Sequence, residues 1–290
     1  DNGTGSVVGL ASNYTLTSPT ISSISITPAS IVVSATDALK VYDATTAMPS
    51  SNVAGVSAIS TPTLVSGTLY ANASNGGATD ALSGGNYAYT DTNAGSGNKT
   101  VTVSGVLISD GNSGHNYTVS YVNNTTSTIS KAPVTVNGTS TYNGTNTTGN
   151  LTVAGVAGQT LGIVGGTATM SSINAGTNAI TALSGGTLTT GGSNPGDIAN
   201  YTLISPVLGT VVVSPAPISV SATNAVKTYD NSTLATGSAM TQTPTPTLVS
   251  GTLYNSDALS GGSYAYTSVG AGSANKTVTV GAVSVLQGST

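Results

Sequence analysis

The same ordered set of short phrases occurs twice in this chain, and that repetition constrains the fold more than any single residue does. Ser34-Ala35-Thr36, leading to Tyr42-Asp43, returns as Ser221-Ala222-Thr223 leading to Tyr229-Asp230. Leu64 to Tyr70 returns as Leu248 to Tyr254. Asp80-Ala81-Leu82, Tyr87-Ala88-Tyr89 and Asn98-Lys99-Thr100-Val101-Thr102-Val103 return as Asp257-Ala258-Leu259, Tyr264-Ala265-Tyr266 and Asn275 to Val280. The separation between copies shrinks along the chain, so whole modules were copied and only their loops changed length. A repeat array is the expectation, and it points toward architecture before chemistry.

The local pattern is that of β-strands. In Lys99-Thr100-Val101-Thr102-Val103-Ser104 the two valines share one face and the threonines the other. Similar runs occur at Ile31 to Ser34, Tyr117 to Tyr121, Val134 to Val136, Val211 to Val213 and Ile218 to Val220. Between them lie Gly/Asn clusters such as Ser83-Gly84-Gly85-Asn86 and Asn143-Gly144, which supply the positive φ angles of tight hairpins. Glu and Arg are absent and Gln is scarce, and no helix pattern emerges. The fold class read from this pattern is all-β: tandem β-sandwich modules of Ig-like type in an elongated array, with β-grasp-type modules as the alternative.

Prolines mark the module limits. Pro28, Pro133 and the pair Pro215 and Pro217 each precede a β-branched run, where a missing N–H costs no ladder bond. The chain divides into a leader (1–28), a first module (29–131), a divergent second module (132–215) and a third (216–290). In the second module Tyr142-Asn143-Gly144 stands for Tyr-Asp, and Asn200-Tyr201-Thr202-Leu203 matches Asn116-Tyr117-Thr118-Val119. The third module ends soon after Leu286, short of any Asn-Tyr strand, whereas the leader carries Asn13-Tyr14-Thr15-Leu16 and Ile24-Ser25-Ile26-Thr27-Pro28. Tail plus leader makes one complete module. Two arrangements follow: the leader of one copy supplies the last strands of its neighbour's third module, or the chain is one period of a giant protein. The residues expected to meet in the first arrangement are Tyr14, Leu16, Ile24 and Ile26 of the leader and Val278, Val280, Val283 and Val285 of the third module.

Lys40-Val41-Tyr42-Asp43-Ala44-Thr45, followed in order by Asp80-Ala81-Leu82, Tyr87-Ala88-Tyr89, Asn93-Ala94-Gly95 and Asn116-Tyr117-Thr118-Val119, resembles the YDG-type repeats of bacterial filamentous-haemagglutinin-like, two-partner-secreted adhesins. The resemblance covers essentially the whole chain, although the motif glycine is Ala44 in one module and Asn231 in another. It implies an extracellular, cell-surface setting and a stalk or surface role without catalysis. The expected function is a structural repeat unit of an extracellular bacterial filament or adhesin stalk, with a glycan-binding surface adhesin module as the alternative.

The residue inventory narrows the chemistry. Charged residues are only 5% of the chain, against about 25% in ordinary soluble domains, and net charge is −4, so no basic surface is expected for nucleic acid. No apolar run approaches the ~18 residues of a membrane span, so no membrane insertion is expected. Cysteine is absent and His115 is the single histidine, placed in the polar stretch Gly114-His115-Asn116 and read as an exposed loop residue. No nucleophile elbow with a placed base is found, and an enzyme is not expected. Asp91, Asn93, Asp110 and Asn112 resemble oxygen-rich calcium loops, but they lack the twelve-residue spacing and closing Glu, so hairpin turns are preferred and no cofactor is expected. Asn-x-Ser/Thr triplets at Asn72, Asn98, Asn116, Asn137, Asn143, Asn200 and Asn275 are candidate glycosylation positions. The pairs Tyr87/Tyr89 and Tyr264/Tyr266 each lie on one strand face and are read as core before sugar-gripping surface. Lys40, Lys99, Lys227 and Lys276 recur at equivalent positions and are read as members of surface ion pairs. Five lysines are few protection for so many strand edges, which favours edges covered by neighbours. The partners expected are copies of the chain itself, head to tail, and a host or matrix glycan.

Overall fold

The computed structural model describes residues 11–15, 17–18, 20–71, 76–203 and 209–288. Strands hold 51% of the residues and there is no α-helix among those described, so the all-β expectation is met. The first module contributes β1 (Ala29–Ala35), β2 (Leu39–Val41), β3 (Pro62–Ser66), β4 (Ala81–Tyr89), β5 (Gly95–Ser109), β6 (Tyr117–Tyr121) and β7 (Asn124–Ser130). The second contributes β8 (Ala132–Val134), β9 (Val136–Thr141), β10 (Thr147–Thr148), β11 (Leu151–Val153), β12 (Leu161–Val164), β13 (Thr167–Met170), β14 (Gly176–Ser184), β15 (Thr187–Thr190), β16 (Tyr201–Leu203) and β17 (Thr210–Ser214). The third contributes β18 (Ser219–Ala222), β19 (Val226–Lys227), β20 (Met240–Gln242), β21 (Pro246–Ser250), β22 (Ala258–Tyr266) and β23 (Val278–Leu286).

By packing, the chain falls into two compact units: one of residues 1–39, 46–91 and 97–127, the other of residues 40–45, 92–96 and 128–290. In the first unit β1 lies between β3, antiparallel to it, and β6, parallel to it with Ala29 opposite Tyr117. The β4–β5 hairpin belongs to a sheet ordered β2-β7-β5-β4. Burial in β5 alternates as the sequence predicts, with Val101 and Val103 inward. Inside this unit Ile31 and Val33 are almost fully buried.

The second unit repeats the plan. Its six-stranded sheet runs β10-β13-β14-β17-β9-β11, and the inner order β13-β14-β17-β9 matches β4-β5-β7-β2. β16 pairs in parallel with β8, Tyr201 opposite Ala132, as β6 pairs with β1. The core of this sheet is Val136, Ala168, Met170, Ile180, Val211 and Val213. Burying aliphatic side chains of this kind contributes about 1.5–3 kcal/mol each.

The strands of the third module form three two-stranded sheets: β18-β21, β19-β20 and β22-β23. The first and last of these match β1-β3 and the β5-β4 hairpin of the first module. Among the described residues, nothing occupies the positions that β6 and β7 hold there. The consequence is visible in burial: Val101 is fully buried, whereas its counterpart Val278 is only half-buried and Val285 is exposed.

Candidate functional site

The Tyr-Asp motif builds one loop three times. The Asp43 carboxylate accepts from the Thr45 N–H at 2.9 Å, Asn143 Oδ1 from the Thr145 N–H at 3.0 Å, and Asp230 from the Ser232 N–H at 3.0 Å. Each turn forces its middle residue to positive φ: Ala44 at 64°, Gly144 at 75° and Asn231 at 57°. That is why glycine or asparagine suits the position and alanine is strained there. In the first and third modules a lysine closes the turn. Lys40 Nζ lies 2.6 Å from Asp43 and donates to the Thr45 carbonyl at 2.7 Å; Lys227 Nζ lies 2.6 Å from Asp230 and donates to the Ser232 carbonyl at 2.7 Å. The second module has Ser140 and the neutral Asn143, so both members of the ion pair are replaced together.

The expectation of surface ion pairs needs correction. The Lys40 side chain is 3% exposed and those of Lys99 and Lys227 10%, while Asp43 and Asp91 remain open to solvent. A lysine stem is long enough to lie in the core while its ammonium reaches carboxylate and carbonyl oxygens at the rim. Burial opposes the charge of Asp43, but the hydrogen bonds from Lys40 and Thr45 outweigh it and hold its pKa below the usual carboxylate range. Asp230 is held low chiefly by Lys227.

What the loop presents is a tyrosine ring. Within the second unit, Tyr42 packs edge-on against Tyr201, with ring centroids 5.4 Å apart and planes at 79°, and its hydroxyl meets Gln159 at 3.1 Å. Tyr142 does the same with Tyr254 at 5.7 Å and 85°, and its hydroxyl donates to Asp257 at 3.3 Å. Such ring pairs contribute about 0.5–1.5 kcal/mol beyond burial. The receiving side also has a common frame. The Gln159 N–H donates to the Val156 carbonyl at 2.9 Å and the Asp257 N–H to the Tyr254 carbonyl at 2.8 Å. In the first unit the Asp80 N–H donates to the Tyr70 carbonyl at 2.8 Å, and the Tyr117 hydroxyl donates to Asp80 at 2.6 Å. Tyr201 likewise donates to Gln159. Burial raises the pKa of Tyr117, as does its bond to Asp80; burial also raises that of Tyr201, the Tyr42 hydroxyl adding to it.

The leader repeats the spacing of these strand phrases. Ile129 follows Tyr117 by twelve positions, Val213 follows Tyr201 by twelve, and Ile26 follows Tyr14 by twelve. Tyr117, Tyr201, Ile129 and Val213 are buried, at 7%, 3%, 1% and 3% exposure, whereas Tyr14 and Ile26 stand at 71% and 98%. Ile24 is also exposed, and Leu16 lies outside the described residues. Two clefts open against the third module among the described residues. One, of about 730 Å³, is lined by Val226, Lys227, Tyr266 and Val278, between β19 and the start of β23, where β7 runs in the first module. The other, of about 330 Å³, is lined by Ala216, Tyr254, Asp257 and Val285, the counterparts of residues around Tyr117. Val280 and Val283 are half-buried on β23.

The other candidates divide. Asp110 is buried, and its carboxylate accepts from the backbone N–H groups of Asn112 (2.9 Å), Gly114 (2.8 Å) and Asn116 (3.1 Å). Burial opposes its ionisation and these donors outweigh it, holding the pKa low. This is a hydrogen-bonded turn, with amide protons directed at the oxygens. Asp91 pairs with Lys99 at 2.6 Å, and Asn93 accepts from Asn200 at 3.0 Å. His115 is exposed, its Nδ1 2.8 Å from the Asn112 carbonyl. Asn200 is 2% exposed and its side chain accepts from the Ala94 N–H at 2.7 Å, so this triplet is closed to a glycan in the folded chain, contrary to the sequence reading. Asn98, Asn116, Asn137, Asn143 and Asn275 are exposed, and Asn72 lies outside the described residues. Of the paired tyrosines, Tyr89 and Tyr264 are buried and Tyr87 and Tyr266 half-buried. The Tyr-Tyr contacts escaped the sequence because they join residues more than a hundred positions apart; the only local signal was the recurrence of the motif tyrosine.

No protein-family model matches the chain, and neither the curated proteins nor the solved structures hold a match to it.

Proposed function

We propose that this chain is a structural repeat unit of an extracellular bacterial filament or adhesin stalk whose copies join head to tail by strand complementation. The observation that carries the reading is the match between the exposed leader residues Tyr14, Ile24 and Ile26 and two strand positions of the third module that none of the described residues occupies. The Tyr14 segment suits the edge of β18, parallel to it, with Tyr14 opposite Ala216 as Tyr117 is opposite Ala29. The Ile26 segment suits the cleft between β19 and β23, as β17 lies between β9 and β14. Added strands would satisfy open backbone edges and cover the half-buried valines of β23. Each module is then a two-sheet, sandwich-like unit, although its parallel pairs depart from the antiparallel sheets of an immunoglobulin domain. The extracellular setting rests on the resemblance to YDG-type repeats and on the sparse charge.

Electron microscopy of native material combined with denaturing electrophoresis tests the reading. Filaments that dissolve into single chains support it. Filaments that run as one very large chain replace complementation by covalent continuity, and dispersed monomers at all concentrations overturn assembly.

A further inference from the structure

Two tyrosines of Asn-Tyr-Thr strands are seated in the same way. Tyr117 lies opposite Ala29 and Tyr201 opposite Ala132, each on a strand parallel to its partner. The Tyr117 hydroxyl donates to Asp80 at 2.6 Å and accepts from the Tyr70 N–H at 2.9 Å. The Tyr201 hydroxyl donates to Gln159 and accepts from the Val156 N–H at 3.2 Å. In each case one backbone bond, Asp80 N–H to the Tyr70 carbonyl or Gln159 N–H to the Val156 carbonyl, fixes the spacing of the two groups that meet the phenol. The third module holds the same frame, the Asp257 N–H donating to the Tyr254 carbonyl at 2.8 Å, beside the cavity of about 330 Å³. Ala216 stands there as Ala29 and Ala132 do, and Tyr142, Ile218 and Val285 also line the space. Among the described residues, no strand parallel to β18 brings a tyrosine into it.

We infer that this cavity is a tyrosine-binding site: it takes the phenol ring of an Asn-Tyr-Thr strand laid parallel to β18, with the hydroxyl donating to the Asp257 carboxylate and accepting from the Tyr254 N–H. The occupant follows from the two filled copies of the site in the same chain. Asp257 also accepts from the Tyr142 hydroxyl at 3.3 Å and the Gly288 N–H at 2.9 Å, which leaves room for a further donor, since a carboxylate has about four lone-pair sites. Gln159 Oε1 shows the arrangement, accepting from the Tyr42 and Tyr201 hydroxyls together. The cavity lies at the small end of the range of ligand pockets, about 300–1,000 Å³, which suits a single ring. The hydroxyl is the group that discriminates: a phenylalanine in its place would desolvate the carboxylate and the amide without pairing them. The inference rests on the proposed function for the strand that brings the ring, since Tyr14, 71% exposed, stands in such a phrase.

The test uses full-length chains carrying Tyr14→Ala, so that no leader tyrosine competes, and a synthetic peptide of residues 12–18 with either tyrosine or phenylalanine at the position of Tyr14. Binding is read from the NMR signals of Ala216, Ile218 and Val285 during titration, where the tyrosine peptide should bind at least about tenfold more tightly than the phenylalanine peptide. Asp257→Ala should remove that preference, and Asp257→Asn, which keeps an acceptor oxygen as Gln159 does, should retain it; the rescue separates a contact with the hydroxyl from a role in folding alone. Equal affinities of the two peptides, shifts that do not reach these residues, a preference untouched by Asp257→Ala, or one that Asp257→Asn fails to keep overturns the inference. Electron microscopy of the parent chain separates the two levels. Filaments without the hydroxyl preference refute the site and leave strand complementation standing, whereas hydroxyl-selective binding by a chain whose parent forms no filaments upholds the site and refutes the head-to-tail reading.

Discussion

Replacing Ile26 by Asp should leave the isolated chain as stable as before and abolish its assembly. Ile26 is 98% exposed, so the folded chain gains almost nothing from its side chain. Its counterparts Ile129 and Val213 are 1% and 3% exposed, so the same residue seated beside β23 would be almost wholly buried. Losing that burial costs roughly 2 kcal/mol. Placing an unpartnered polar group there adds at least about 2 kcal/mol. The sum, about 4 kcal/mol, is roughly a thousandfold in the association constant. Sedimentation velocity over a concentration series reads the association, and thermal melting by circular dichroism at low concentration reads the isolated chain. Ile129→Asp is the matched contrast, since it should unfold the first module. Ile26→Asp chains that assemble like the parent, or that melt earlier than it as dilute monomers, would refute the placement of the leader strand.

Three further outcomes are expected. Ala44→Gly relieves a positive φ at a non-glycine residue and should raise the denaturant midpoint, the gain being about 0.5–1 kcal/mol after the added freedom of the unfolded chain; a lowered midpoint would contradict the turn assignment. Asp43→Ala removes the carboxylate partner of the buried Lys40 ammonium and should cost about 2–3 kcal/mol, read in urea, whereas a change under 0.5 kcal/mol would return the pair to the class of exposed ion pairs. Asp43, Asp110 and Asp230 have folded-state pKa values below their ordinary ones, so the stability they contribute is present above about pH 4 and is lost as pH falls below it. Tyr117 and Tyr201 are raised, so theirs is present below about pH 10 and lost as pH climbs through the folded values. Melting temperatures should form a plateau between these limits, and a maximum at acid pH would contradict the assignments.

Much of the local structure was legible because it depends on neighbours in sequence. The alternation of Val101 and Val103 with Thr100 and Thr102 fixes which face of β5 turns inward, and the burial follows it. The motif residues Asp43, Asn143 and Asp230 announce turns because an Asx side chain closes on the amide two residues ahead. Lys40 and Asn200 were misread for the complementary reason. A lysine and an Asn-x-Thr triplet look like surface by type, but the Lys40 side chain is buried with its ammonium on the neighbouring Asp43 and Thr45, and Asn200 is buried against the distant partners Asn93 and Ala94.

The sequence alone therefore established an all-β chain of repeated modules, their order, and the duplication of the leader's phrases, because copied residues and two-residue periodicity are properties of the string. The tertiary structure decided which strands are neighbours, that β6 and β7 have no counterparts beside β18 and β23 among the described residues, and that the motif tyrosine is a contact between modules. Those facts depend on strand pairing and ring packing between residues far apart in the chain, where backbone hydrogen bonds and buried area act and local pattern carries no record of them.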